Sequence, residues 1–487
     1  MTAMDYLSMI REGLPRSTSP KRIAVVGAGM AGLTAAYELL RAGHEPIVLE
    51  ARQRVGGRIY TLREPFAPGL HAEAGAMRFP RSHALTMAYI EKFALPVTPF
   101  TMGNPQGYYF IRGRKLRMAE AQTEPDRLGF ELPGRERGKS PSQLWAETLA
   151  PILEQFAAKG EAAWDEIVPA YDQYSTREFL EASGWSEDAI EMYGLLANQE
   201  SRLNTAFIEL LRAEISHSFN DMFQIQGGSD RLPQAFLPAV QEHIRFGARV
   251  TAIEQSAHEV TLSYQTLAGP ARLTADYAII TLPLSVLRHI EVQPAFSRPK
   301  QRAIRQLPYD ASGKIFLQCR RRFWEEDEGI FGGSTVTDLA IRNIHYPEHG
   351  RETGRGVLIA SYTWAGDAQR WGWLDPRERL VQAIENVAQV HPQIRDEFEV
   401  GASHMWQNDE FAGGAFALFD PGHMTLLHPA IIAAEGRLHF AGEHASLSHR
   451  WVQGAIESGL RAAAEIHFAG REGELPRAAL AGAMPGG

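Results

Sequence analysis

The sequence predicts an α/β protein made of three parts: a Rossmann-like domain assembled from separated segments, a mixed α/β domain built on a sheet, and a helical subdomain. Three observations predict it. A β-branched run from Ile23 to Val26 leads into a glycine-rich turn and a helix-patterned segment, the start of a parallel α/β unit. Runs such as RVTAIE, EVTLSY, YAIITL and VLIASYTW have strand composition. Between about residues 140 and 225, Ala, Leu, Glu and Trp recur at helical spacing, as in SQLWAETLAPILEQFAAKGEAAW. A chain of 487 residues has room for two or three domains and a sizeable core.

Taken in order, residues 1–20 read as an N-terminal arm, with a short docking helix between Asp5 and Leu14. Segments 21–72, 226–290 and 436–470 are assigned to the nucleotide domain, and 73–139 with 291–435 to the substrate domain. Residues 140–225 are the helical part, and 471–487 read as a loose tail. The net charge of −9, with both signs spread along the chain, argues against a nucleic-acid partner or an anionic membrane surface. No apolar stretch reaches the length of a membrane span. The first twenty residues lack the pattern of a secretory leader, and a cytoplasmic location is expected. Cys319 is the only cysteine, which rules out an intrachain disulfide and any multi-thiolate metal site; no metal is expected.

The strongest local signal is RIAVVGAGMAGLTAAYELLRAGHEPIVLE. Gly27, Gly29 and Gly32 form G-x-G-x-x-G, with Ala28, Met30 and Ala31 completing the turn. A helix from about Ala31 to Arg41 and a strand from Pro46 to Leu49 follow, and Glu50 stands 18 residues after Gly32. Gly27 permits the tight turn, Gly29 lets the backbone approach a pyrophosphate, and Gly32 lets the helix pack closely on the strand. The helix N-terminus offers N–H groups to phosphates. Glu50 can accept hydrogen bonds from ribose hydroxyls. An ordinary glycine turn explains the glycines but not the strand, helix, second strand and acid together. The fingerprint alone does not separate FAD from NAD.

The residues after Glu50, ARQRVGGRIYT, resemble the flavin amine oxidase family, as do IQGGSDRLPQAF, YAIITLP and RLHFAGEHASLSHRWVQGAIESGLRAA. The resemblance spans nearly the whole chain. It implies a GR2-type FAD-binding domain in which Ala51, Arg52, Gly56, Gly57 and Arg58 support the pyrophosphate. It places Gly442 and Glu443 on the ribityl or ribose side, and Val452 and Ala455 in a helix whose N-terminus faces the flavin. Val250 would meet the adenine through its backbone, and Gly75, Ala76, Met77, Arg78 and Trp406 would lie against the cofactor. Ala415 stands where some members carry the cysteine that bonds the flavin, so the resemblance implies non-covalent FAD.

Within that family, HAEAGAMRFP is similar to the loop of L-amino acid oxidases whose arginine, here Arg78, pairs with the substrate carboxylate. Tyr362 would donate a second hydrogen bond to that carboxylate, with a register open by one residue, and a buried structural tyrosine is the other reading. Lys314 matches the family lysine that holds a water near flavin N5. Phe416 and Trp451 would flank the reacting amine, although plain core packing is as good a reading for Phe416. Whether His217 or Phe219 fills a position that some members give to a base is left open, and His449 reads as a capping or core histidine.

The implied reaction is oxidation of an L-amino acid, with O2 as the second substrate, to a 2-oxo acid, ammonia and hydrogen peroxide. Trp364, Trp406, Phe416 and Trp451 favour apolar or aromatic side chains, and relatives suggest a homodimer. An L-amino acid 2-monooxygenase, a monoamine or polyamine oxidase, and a flavin-carrying interaction protein stay open as alternatives.

Overall fold

The computed structural model describes residues 5–469. The expected tail at 471–487 lies outside the described residues.

The first sheet has five parallel strands in the spatial order Ile244–Phe246, Glu45–Glu50, Arg22–Val26, Tyr277–Ile280, Leu438–Phe440. Its strands come from three stretches far apart in sequence. The inner strands are apolar along almost their whole length because both faces are covered, one by helices Met30–Arg41 and Val452–Phe468 and the other by residues of a four-stranded sheet such as Val250, Ile253, Leu262 and Leu273. Helices Met30–Arg41 and Val452–Phe468 cross closely: a Cβ on Gly459 would stand 2.5 Å from the Ala31 carbonyl oxygen. A separate four-stranded sheet, order Gly269–Ala275, Val260–Thr266, Arg249–Gln255, Glu291–Gln293, sits beside it.

The second large sheet has seven strands, in the order Phe398–Met405, Ser312–Cys319, Gly356–Trp364, Asn343–His345, Ser334–Thr337, Tyr108–Ile111, Arg114–Arg117. Ser312–Cys319 is buried along its whole length, and it carries Lys314 opposite Tyr362 on one neighbour and His404 on the other. Opposed residues share a face, so the pairing aims Lys314 and Tyr362 the same way. Ser361 and Thr363 turn their hydroxyls to backbone carbonyls of Ile341 and Gly313, while Tyr362 between them lines the cavity.

The helical part comprises Pro141–Lys159, Trp164–Tyr171, Thr176–Ala182, Glu187–Leu196 and Phe207–Ile215. Capping boxes at Ser140/Gln143 and Ser175/Glu178 start two of these helices, and Phe179 stacks on Phe207 with ring centroids 3.6 Å apart. The N-terminal helix Tyr6–Glu12 lies on the protein's own body. Met9 and Ile10 are buried, and Arg41 and Lys92 donate to its terminal carbonyls. Among the described residues no helix is long and apolar enough to cross a membrane.

Candidate active site

A long cavity runs from the glycine turn of the parallel sheet to the exposed face of the seven-stranded sheet. At the first end it is lined by Gly27, Gly29, Met30, Ala31 and Glu50. Gly32 lies behind this wall, where a Cβ would stand 2.0 Å from the Gly27 carbonyl oxygen; only glycine fits that crossing. A Cβ on Gly29 would meet open space, so the backbone there is approachable from the cavity. No side chain caps the helix starting at Met30 or the one starting at Val452, and both N-termini border the cavity. Free N–H groups at two helix ends, beside a glycine-lined wall and a buried acid, fit a dinucleotide diphosphate.

Several expected cofactor residues turn out to be engaged by the protein itself. Ala28 does not line the cavity; its N–H donates to Glu50 at 2.7 Å, and the Arg52 N–H holds the other carboxylate oxygen at 2.8 Å. Burial raises the Glu50 pKa, and these two N–H groups oppose the shift. The Arg52 guanidinium pairs with Asp409 and lies over the Phe411 ring. Arg58 donates to Glu443 at 2.8 Å and to the Ala415 carbonyl at 3.0 Å. Glu443, expected on the ribityl or ribose side, accepts from Arg58 and from the N–H groups of Ala417 and Arg450. A carboxylate this deeply buried needs such donors to stay ionised, so Glu443 acts as a clamp between segments. Val250 lines a neighbouring cavity that shares Ala51, Leu282, Val286 and Phe411 with the main one.

In the middle of the cavity the strand Ala72–Gly75 and the loop after it are pinned from below. Trp406 donates its indole N–H to the Ala74 carbonyl at 3.0 Å. A Cβ on Gly75 would meet the Arg58 carbonyl oxygen at 2.0 Å and the Trp406 ring at 2.7 Å. Lys314 Nζ donates to the Glu73 carbonyl at 2.8 Å and to Met77 Sδ at 3.3 Å, and lies 4.5 Å from the Tyr362 ring centre. Burial pushes the Lys314 pKa down to about 7; Arg78 adds to the shift and Glu73 opposes it. The Glu73 carboxyl, held by the Ser229 N–H and the Thr61 hydroxyl, is pushed up to about 7 by burial.

This pinned loop delivers Arg78 to the far half of the cavity. Among the described residues its guanidinium has no hydrogen-bond or ion-pair partner, and Nη1 is buried without one. The Phe100 ring lies beneath it at 5.6 Å. Burial lowers the Arg78 pKa, as expected of a cation lacking a counter-ion. Tyr362, Phe416 and Trp451 complete the wall with Trp364 and Phe219. Trp364 lies 4.2 Å from Tyr362 and Phe219 lies 6.0 Å from Trp451, centre to centre. Of the two residues left open in the helical part, Phe219 lines the cavity, whereas His217 is exposed at the surface. His449 is buried against Glu209 at 2.6 Å, and that carboxylate raises its pKa.

Two further arginines in this wall escaped the sequence reading. Arg202 comes from the helical part and Arg450 from the turn before the last helix. Arg202 carried no sequence signal, and Arg450 stood unremarked inside HRWVQGAIESG.

A parallel dinucleotide fold joined through one cavity to a second sheet defines a nucleotide-cofactor oxidoreductase. The sequence profile described as "Flavin containing amine oxidoreductase" matches residues 30–467, and the chain belongs to that family. YobN of Bacillus subtilis (strain 168), provisionally named an L-amino-acid oxidase, is 39% identical over 95% of this chain and 98% of its own. An L-amino acid oxidase of Cerastes cerastes is 37% identical, over 96% and 90%. Among solved structures, cyclohexylamine oxidase from Brevibacterium oxydans superposes with a TM-score of 0.73 at 20% identity, covering 92% of this chain and 99% of that one. Putrescine oxidase bound to putrescine gives the same TM-score, identity and coverage. These two likenesses concern the fold.

Proposed function

We propose that the protein is an L-amino acid oxidase that holds FAD non-covalently. The observation that carries this reading is Arg78: a buried guanidinium facing the cavity with an unpaired Nη1 and, among the described residues, no carboxylate near enough to pair with it. A plain amine gives such a cation nothing to bind, whereas an α-carboxylate satisfies it through a forked pair of hydrogen bonds. The names of the relatives at 37% and 39% identity support the same substrate class.

FAD, held between the glycine turn and the N-termini of the helices starting at Met30 and Val452, would supply the two-electron acceptor for the hydride leaving Cα, with O2 as the final oxidant reduced to hydrogen peroxide. The protein's own residues bind and orient. Arg78 and the Tyr362 hydroxyl hold the carboxylate, which fixes Cα in the cavity. Phe416 and Trp451 present aromatic walls that favour the neutral amine and exclude water. Lys314 has two of its N–H bonds committed to the 73–77 segment, which keeps the Arg78 loop in place. The imino acid formed by loss of hydride and a proton adds water and splits into the 2-oxo acid and ammonia. Cys319 is buried in the seven-stranded sheet away from the cavity, and burial raises its pKa; this supports a non-covalent flavin.

The decisive experiment mixes the purified holoprotein anaerobically with L-amino acids, their D-enantiomers and the matching decarboxylated amines, following flavin absorbance. Bleaching by L-amino acids alone is expected. Bleaching by amines alone would replace this reading with an amine oxidase. Acid precipitation should release all the FAD to the supernatant; flavin retained in the pellet would disprove the non-covalent site.

A further inference from the structure

Arg202 and Arg450 line the same cavity as Arg78, and among the described residues neither is paired with a carboxylate. The Nε atom of each is buried without a hydrogen-bond partner, and neither makes an ion pair among the described residues. Arg202 has one side-chain acceptor, Gln199 Oε1 at 3.2 Å, and lies 6.0 Å over the Trp364 ring. Arg450 lies 5.9 Å over the Phe219 ring. Its backbone sits at φ 73, the left-handed region that favours glycine, and its N–H is tied to Glu443 at 3.0 Å. A long cationic side chain in a conformation suited to glycine is a strained feature.

The anions near these two groups do not neutralise them. Glu209 is taken up by His449 at 2.6 Å and the Phe419 N–H at 3.0 Å. Glu443 is taken up by Arg58 and two backbone N–H groups. Asp310 acts electrostatically on both arginines but makes no ion pair with either, and its Oδ2 is buried without a partner. Arg450 feels Glu209, Asp310 and Glu443, and Arg202 feels Asp310, but among the described residues none of these carboxylates reaches ion-pair distance of either guanidinium. Tyr362 is within electrostatic reach of Arg78, Arg202 and Arg450 alike, so it stands between the two cationic places.

We propose that Arg202 and Arg450 form a second anion site in the cavity, which selects L-amino acids bearing a side-chain carboxylate. This rests on the reading that Arg78 takes the α-carboxylate. A dicarboxylic amino acid then spans the cavity, one carboxylate on Arg78 and Tyr362, the other on Arg202 and Arg450, with Trp364 and Phe219 flanking the methylene chain. The aromatic wall that suggested an apolar side chain becomes the sleeve around an acidic one. A neutral side chain would leave the two guanidiniums desolvated and without a hydrogen-bonded anion, which burial penalises strongly.

The test measures kcat/KM by anaerobic and steady-state flavin turnover for L-glutamate and L-aspartate, each against its amide, and for L-leucine, L-methionine and L-lysine. At least one acid is expected to exceed its own amide by about tenfold or more, mainly through KM. Arg202→Met should lower that acid-to-amide ratio about ten- to a hundredfold, and Arg202→Lys should keep part of it. Arg450→Gly suits the local backbone and keeps the test usable if Arg202→Met does not fold; it should also lower the ratio. Amides that match or exceed both acids in the parent, a preference for L-lysine over L-methionine, or an unchanged ratio in Arg450→Gly would each overturn the proposal. If neutral L-amino acids reduce the flavin and acidic ones do not, only the second site fails. If no L-amino acid reduces it, the oxidase reading fails and the second site falls with it.

Discussion

The two ends of the cavity handle charge in opposite ways. At the nucleotide end Glu50, Arg52, Arg58 and Glu443 each have partners within the protein. That end is a shell of glycines, backbone N–H groups and closed ion pairs. At the substrate end Arg78, Arg202 and Arg450 have no carboxylate partner among the described residues. Burying unpaired guanidiniums is unfavourable, and a fold that does so three times in one wall leaves the deficit to be met by what binds. Under the proposed function the difference separates two jobs: the end that would hold the cofactor is shaped by steric fit, and the end that would hold the substrate by charge left open.

The largest effect is expected where steric fit has no slack. Gly32→Val would force side-chain atoms against the Gly27 carbonyl, 2.0 Å from the added Cβ, and should yield protein without flavin. The flavin-to-protein absorbance ratio checks this, and stoichiometric flavin in the variant would break the contrast.

Next is Arg78→Met, which removes the counter-charge from a desolvated carboxylate at a cost of roughly 3–5 kcal/mol. Flavin reduction by an L-amino acid should slow by about two to four decades, with flavin content unchanged and the decarboxylated amine bound no worse than by the parent. Reduction at the parental rate would remove the carboxylate assignment.

A smaller effect is expected at the paired end. Arg58→Met leaves Glu443 with two backbone donors and no cation, which should cost about 3 kcal/mol and lower Tm by several degrees. A stability loss without a selective loss of amino-acid recognition would sharpen the distinction between the two ends; a change confined to substrate affinity would blur it.

The smallest effect is a pH slope. With its pKa pushed down to about 7 in the folded protein, Lys314 binds fewer protons than the unfolded chain between about pH 7 and the ordinary lysine range. Unfolding then takes up protons, so this residue's contribution makes stability rise with pH across that window. Lys314→Met should lose that rise while other groups titrate as before. Denaturant midpoints at pH 7 and pH 9 for parent and variant give the comparison, and equal differences at the two pH values would show that Lys314 is not held as the geometry implies.

The nucleotide end was legible because its instructions are local. Gly27, Gly29, Gly32 and Glu50 fall within one strand–helix–strand unit, where spacing along the chain dictates spacing in space. The partners of Glu443 were less so: the Arg58 and Ala417 that satisfy it lie 385 and 26 residues away in the chain. Arg202 was not legible at all. It is an arginine after a helix in a region patterned for core packing, and nothing nearby in sequence marks it as facing a cavity.

By itself, the sequence determined the α/β class, the glycine turn that admits a dinucleotide, and the arginine and lysine that a family resemblance attaches to the flavin. Hydrophobic periodicity and glycine spacing encode the first two, because both act over a few residues; the arginine and the lysine rest on the resemblance. Only the tertiary structure decided which charges are closed by partners and which stay open. Whether a guanidinium is paired depends on carboxylates brought from hundreds of residues away and on how deeply the assembled fold removes it from water. For Arg58 the fold supplies such a carboxylate in Glu443, and for Arg78, Arg202 and Arg450 the described residues supply none within ion-pair distance.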